Sequence, residues 1–248
     1  MSEEYPRFEL EFPIRMHMTD DRGFCRAAEM MRFMQETATM QLEQYGPDYA
    51  TLCSRGQAFI MSRISIDFPE PVRYFDVLRS TSWPCASSRG ACFDRDFVIY
   101  HGETEAAVAA SQWAFLDVRE HKLLRVEACD IAFTREEQVT TTLPLRFRIP
   151  KDAVLETLGT HKVSYSDIDT NRHMNNTRYC DLYCDFLPMQ GKRIAAIAIA
   201  FAKEATAADT IMVTGSTEPD ENGLYYIRTY RSSDNAVNTE AVVRLENL

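Results

Sequence analysis

Fourteen consecutive residues, SDIDTNRHMNNTRY from Ser166 to Tyr179, hold two carboxylates, three carboxamides and one imidazole with almost no apolar side chain among them. Such a set can bind a cation, build a turn or move a proton. The cation reading starts well, because Asp167-x-Asp169-x-Asn171 opens like a calcium loop. It then fails: Arg172 stands where that loop needs a glycine, and Arg178 stands where it needs a bidentate glutamate. A transition-metal site needs more imidazole or thiolate than His173 and its sequence neighbours supply. The segment therefore predicts no metal.

The turn reading is stronger. Asp and Asn satisfy their own backbone in turns and at helix starts, and Asn175 or Asn176 is placed to cap a helix carrying Tyr179. The third reading takes the residues together. Asp169, Asn171 and His173 alternate, so an extended segment would point all three one way into a helix N-terminus. Free backbone N–H groups there would meet a developing oxyanion, while His and Asn hold a carbonyl or a water. That arrangement suits acyl transfer to water.

The elements that must position this segment follow from periodicity. Phe8, Leu10, Phe12, Ile14 and Met16 alternate along one strand face, with Pro13 marking an edge or a break. Met31, Met34, Ala38 and Leu42 at helical spacing predict a helix over 27–45, stopped by Gly46-Pro47. Strands are expected at 60–68, with Ile60, Ile64, Ile66 and Phe68 in phase, and at 77–83, 93–100 and 108–118. Charges and prolines make 134–158 a connector. The order then repeats: a short strand at 162–165, a helix with Tyr179, Leu182, Tyr183 and Phe186 on its apolar face ending at Pro188, and strands at 193–203, 210–217, 224–231 and 236–245. This is an α+β chain made of two copies of one unit. The N-terminal unit spans 1–134, the connector 135–158 and the C-terminal unit 159–248. In the first copy the motif position reads Thr19-Asp-Asp-Arg-Gly-Phe-Cys25, without Asp-x-Asn-x-His, so a single active site belongs to the second copy.

Composition excludes several classes. The chain has 248 residues, 45% of them hydrophobic, enough for a large core. A formal net charge of −10 and the absence of any long basic run argue against nucleic-acid binding. The start, Met1-Ser-Glu-Glu-Tyr5, is unlike a secretory signal, and the longest apolar run, 194–202, is too short to span a bilayer, so a cytoplasmic protein is expected. Seven scattered cysteines without a Cys-x-x-Cys pair suggest reduced thiols, with Cys92, Cys129, Cys180 and Cys184 structural. His161 reads as a strand-edge histidine.

The run Asp169-Thr-Asn171-Arg-His173-Met-Asn175-Asn176-Thr-Arg-Tyr179 closely resembles the signature of the acyl-[acyl-carrier-protein] thioesterases, tandem hot-dog enzymes of plants and bacteria. Met30-Met-Arg-Phe-Met-Gln-Glu-Thr-Ala38 resembles the family's first long helix, and Phe93-Asp-Arg-Asp-Phe-Val98 one of its strands. Ala200-Phe-Ala-Lys-Glu-Ala205 resembles the strand that ends in the acid completing the site. The resemblance implies two fused hot-dog units, each an antiparallel sheet wrapped around a long helix, with the sheets side by side. It makes Asp169, Asn171, His173 and Glu204 the catalytic set, and the reaction hydrolysis of fatty acyl thioesters on acyl carrier protein, with no cofactor. Residue by residue alone, Glu204 would be read as an ordinary turn residue. Plant members carry a cysteine just after the acid; Ala205 here favours direct attack by water over an acyl-cysteine. In that reading Glu204 is the general base, with its pKa raised by partial burial, although His173 is also a candidate for the proton. Asn171 and His173 position the water and the carbonyl, and Asp169 orients one of them. Met31 and Met34 are candidates to line an acyl pocket in the N-terminal unit. An acidic carrier requires a local basic patch, for which Arg172, Arg178, Lys192 and Arg193 are candidates. An acyl-CoA thioesterase and a non-catalytic acyl-binding hot-dog protein are the rival readings; a hydratase of the same fold has no other motif to support it. A homodimer is compatible with all of them.

Overall fold

The computed structural model describes residues 7–120, 122–131 and 134–248; the start at Met1 to Tyr5 lies outside them. The chain forms two compact units, the first up to Ile64 and over Phe68–Thr141, the second from Ser65–Asp67 and Thr142–Leu248.

The first unit runs β1 (Phe8–Pro13), α1 (Ala27–Tyr45), α2 (Tyr49–Arg55), β2 (Gln57–Asp67), β3 (Val77–Pro84), β4 (Cys92–His101), β5 (Thr104–Asp117) and a short β6 (Lys122–Leu123). Its strands lie in the order β1-β3-β4-β5-β2, with β6 on β5. Edge strand β1 pairs antiparallel with β3, from Phe8 opposite Ser82 to Pro13 opposite Val77. An edge tolerates the proline that a central strand would not. Period-two burial holds through Ile14, but Met16 enters a 3₁₀ turn and is 67% exposed, which corrects its expected place on the apolar face. Ile60 is likewise exposed although Ile64 and Ile66 are buried, so the strand face changes along β2.

Helix α1 occupies the range its periodicity predicts. It stops because Gly46 takes φ 75° and returns its N–H to the Leu42 carbonyl at 2.7 Å. Met30, Met31, Phe33, Met34 and Ala38 are buried, and Phe33 stacks on Phe12 at 4.5 Å between ring centroids. Burial of each large apolar side chain contributes about 1.5–3 kcal/mol, so this face fixes the helix on the sheet. The Thr37 hydroxyl bonds both the Phe33 carbonyl and the Ser80 hydroxyl of β3. Helix α2 has no counterpart among the predicted elements; Asp48 starts it by accepting the Thr51 N–H at 2.6 Å.

The second unit contains β7 (Glu156–Lys162), α3 (Arg178–Phe186), β8 (Lys192–Phe201), β9 (Thr210–Gly215), β10 (Leu224–Arg231) and β11 (Val237–Asn247). Its order, β7-β9-β10-β11-β8, repeats that of the first unit strand for strand. The strand expected at 162–165 ends where it was to begin, because a 3₁₀ turn occupies Tyr165–Asp167. The segment read as a connector is well packed: Leu143 and Ile149 are buried with Ala196, Ala198, Tyr226 and Val242, and β7 begins at Glu156. Helix α3 has nine residues against nineteen in α1, and seats itself through Tyr179, Leu182 and Tyr183, with Tyr183 Oη 2.6 Å from Thr239 Oγ1 of β11.

Candidate active site

The quoted motif folds as a tight turn closed by an antiparallel bridge between Ile168 and Met174. Asp169 is its organiser. Its N–H reaches the His173 carbonyl at 3.0 Å, its own carbonyl accepts the Arg172 N–H at 2.9 Å, and Oδ1 accepts the Asn171 N–H at 2.8 Å. Asn175 Nδ2 lies 3.5 Å from Oδ2. Arg172 takes φ 66°, a left-handed conformation uncommon for a residue with a side chain. Asp169, Asn171 and His173 thus do not alternate along an extended segment; the short polar side chains turned the chain instead. Asp169 orients the loop backbone and the Asn175 carboxamide rather than the His173 ring.

The helix start also differs from expectation. Asn175 Oδ1 accepts the Thr177 N–H at 2.9 Å, and the carbonyls of Asn175, Asn176 and Thr177 accept the N–H groups of Arg178, Tyr179 and Cys180. The cap position itself is Thr177, whose side chain makes no cap bond; Asn175 acts two residues earlier, accepting the Thr177 N–H and hydroxyl, so neither asparagine holds the expected cap position. These bonds occupy the Thr177, Arg178, Tyr179 and Cys180 N–H groups, leaving the Asn176 N–H as the donor at this helix start without a hydrogen bond among the described residues.

Glu204 follows β8 and arrives beside the turn because Met174 donates its N–H to the Ala205 carbonyl at 2.8 Å. Arg231 Nη1 donates to the Glu204 carbonyl at 2.8 Å, and Asn238 Nδ2 donates to the Lys203 carbonyl. The result brings His173 Nε2 within 3.9 Å of Glu204 Oε1. The side chains are 37% and 58% exposed, so Glu204 is the more open of the two and more than half in solvent. Asn171 is exposed, and its carboxamide makes no hydrogen bond among the described residues. No group of three or more His, Cys, Asp or Glu among the described residues has metal-binding geometry.

Asp167, named in the sequence only for the calcium loop that fails, is the buried post of the motif. Its Oδ2 accepts the Ser164 N–H and lies 2.9 Å from His161 Nε2, while its carbonyl accepts the Asn175 N–H at 2.8 Å. The pattern Ser164-x-x-Asp167, a capping-box spacing, was the available signal. His161 does lie on an edge strand, β7, but its ring is engaged.

The N-terminal domain model of the acyl-ACP thioesterases matches residues 6–132, and the C-terminal domain model of the same family matches residues 152–246. The chain belongs to the acyl-ACP thioesterase family. Among solved structures it is similar to an acyl-ACP thioesterase from Bacteroides thetaiotaomicron, at 21% identity and TM-score 0.86, covering 99% of this chain and 100% of that one. It is also similar to the 12:0-ACP thioesterase from Umbellularia californica, at 15% identity and TM-score 0.83, covering 98% of each. A putative oleoyl thioesterase from Lactobacillus plantarum aligns at 16% identity and TM-score 0.81, over 99% of this chain and 98% of that one. At these identities the structures show the shared hot-dog fold. No curated protein sequence matches.

Within this acyl-ACP thioesterase the two units carry the same loop with different chemistry. In the first, Asp20 Oδ1 accepts the Arg22 and Phe24 N–H groups, Gly23 donates to the Asp20 carbonyl, and Cys25 donates to the Val72 carbonyl. These bonds put Arg22 where the second unit has Asn171, Phe24 where it has His173, and Pro71 where it has Glu204. Phe24 packs under the Arg73 guanidinium at 4.2 Å. The first loop keeps the fold and lacks an acid–base pair.

Proposed function

We propose that His173 and Glu204 form the hydrolytic pair of the second unit and act on fatty acyl chains carried by acyl carrier protein in the cytoplasm. Glu204 accepts a proton from water as its oxygen attacks the thioester carbonyl. The C–S bond then breaks, the carrier thiolate is protonated and the fatty acid leaves. His173 holds the attacking water, and the free Asn171 carboxamide stands to receive the carbonyl oxygen. Catalytic contacts are often long in a free enzyme and tighten on substrate, so 3.9 Å between His173 Nε2 and Glu204 Oε1 suits this role.

The observation that carries the reading is this pair, built onto a loop whose first-unit counterpart has Phe24 and Pro71 instead. Ala205, fully buried with its carbonyl bound by Met174, offers no nucleophile beside the acid, which supports water as the attacking group. The N-terminal unit, with Met31 and Met34, is the part we assign to the acyl chain. The test is thiol release by the purified protein from acyl-carrier-protein and acyl-CoA thioesters of matched chains. Faster release from the carrier supports the proposal, and preference for CoA would favour the rival thioesterase. Binding without turnover on either carrier would contradict it in favour of an acyl-binding protein.

A further inference from the structure

Arg95 lies on β4 on the face turned to α1, and its residue is 7% exposed. Its Nη1 donates to Gln41 Oε1 of α1 at 2.5 Å and to Ser82 Oγ of β3 at 2.8 Å. Those two acceptors use one nitrogen of the guanidinium. The Nε–Nη2 edge has no hydrogen-bond partner among the described residues. Among the described residues no carboxylate pairs with this cation. Asp94 and Asp96 alternate onto the opposite sheet face, where Asp94 accepts from Gln112 and Asp96 accepts the Val139 N–H at 2.8 Å. Glu29 of α1 is held by Arg26 and Arg32. Burial lowers the Arg95 guanidinium to about 10, which leaves it charged at neutral pH.

A buried charge without a counter-charge is costly, and the unused edge has two parallel donors in the geometry that matches a carboxylate. The other polar side chains of that face are engaged with one another: Ser111, opposite Arg95 on β5, donates to the Arg95 carbonyl and accepts from Trp113, and Thr37 donates to Ser80. Beyond them the face is apolar, with Phe97 and Ile99 following on β4 and Ala109 and Ala107 opposite them on β5, so a carboxylate on an aliphatic chain meets both environments.

We infer that Arg95, with Gln41 and Ser82, forms a subsite in the first unit for the carboxylate of an aliphatic chain. Two sources share that chemistry: the far end of a carboxyl-terminated acyl chain, or a free fatty acid, the product of the proposed reaction. The inference rests on that reaction for the choice of sources, while the binding arm of its test is independent of turnover.

The full chain is melted with dodecanoic acid and with dodecanol, and thiol release is measured on two carrier thioesters of equal length, one methyl-ended and one carboxyl-ended. Wild type, Arg95→Lys and Arg95→Met are compared. The expected result is tighter binding of the acid than of the alcohol by roughly tenfold or more, the scale of a charge-assisted hydrogen bond, weakened in Arg95→Lys and lost in Arg95→Met. Preference for the carboxyl-ended thioester then identifies the substrate tail; absence of that preference identifies the free acid. If Arg95→Met does not fold, wild type and Arg95→Lys decide. Equal binding of acid and alcohol by wild type, without preference for the carboxyl-ended chain, overturns the subsite and leaves Arg95 a structural residue. No thiol release from either thioester counts against the proposed reaction, and the binding arm still judges the subsite.

Discussion

At the scale of single residues, His173 and Glu204 illustrate what sequence can and cannot show. The motif around His173 is readable because Asp and Asn at such density must turn the chain. Glu204 carries no local signal; its place beside His173 depends on the Met174 to Ala205 hydrogen bond, a contact between segments far apart in sequence. Resemblance to the family supplied it, and the fold brings the two side chains together. The basic residues considered for carrier docking separate in the same way. Arg178 lies 3.9 Å from both Asp167 and Asp181, Arg193 is paired with Glu246, and Lys192 lies over the Tyr225 ring. Arg172 is exposed and its side chain is free of partners among the described residues, which makes it the most available of the four to an acidic carrier. Arg172→Glu is expected to raise KM for a carrier thioester by about 3–10-fold at low salt, with little change for an uncharged pantetheine thioester. The difference should vanish near ~1 M salt, where screening is short-ranged. An unchanged KM at low salt would remove Arg172 from the docking surface.

At the scale of elements, the helix α1 was legible to the residue because apolar spacing and the Gly46-Pro47 stop agree. Helix α2 was not, since its seven residues bury only Leu52 and leave little periodic pattern to detect. The two catalytic-type loops show how one backbone device accepts different residues. Gly23 takes φ 83°, and a Cβ there would come within 2.5 Å of the Tyr74 ring; Arg172 holds the corresponding place at φ 66°. Left-handed backbone costs a residue with a Cβ about 1–2 kcal/mol. Gly23→Ala should therefore lower the melting temperature by about 2–8 °C, the conversion for a domain of this size. Calorimetry of the variant checks this, and an unchanged melting temperature would show that the loop relaxes freely.

At the scale of the whole molecule, the repeated strand order shows that the sequence contains one architecture twice, and the second-copy assignment of chemistry follows from what the first copy lacks. The net charge of −10 means that attraction to an acidic carrier must be local. Stability carries its own pH signature. Burial raises the Asp96 carboxyl from 3.8 to about 6. Because the folded-state pKa lies above the unfolded one, the folded state prefers the protonated form. The resulting destabilisation is full above about pH 6, shrinks as pH falls and is gone below about pH 4. Asp96→Asn keeps an acceptor for the Val139 N–H and removes the charge. It should add about 3 kcal/mol at pH 8, with the gain closing towards pH 4. Denaturant melts across that range test it; a gain independent of pH would mean that the carboxylate is not the cause.

The central claim is that the acid brought to His173 moves the proton of the attacking water. Thiol release from one carrier-bound acyl chain, measured for wild type and Glu204→Gln at matched folding, tests it most directly. The predicted result is a fall in kcat of ~10²–10⁴, the usual contribution of a general base, with the melting temperature unchanged. A variant that turns over within a few-fold of wild type would contradict the assignment of Glu204.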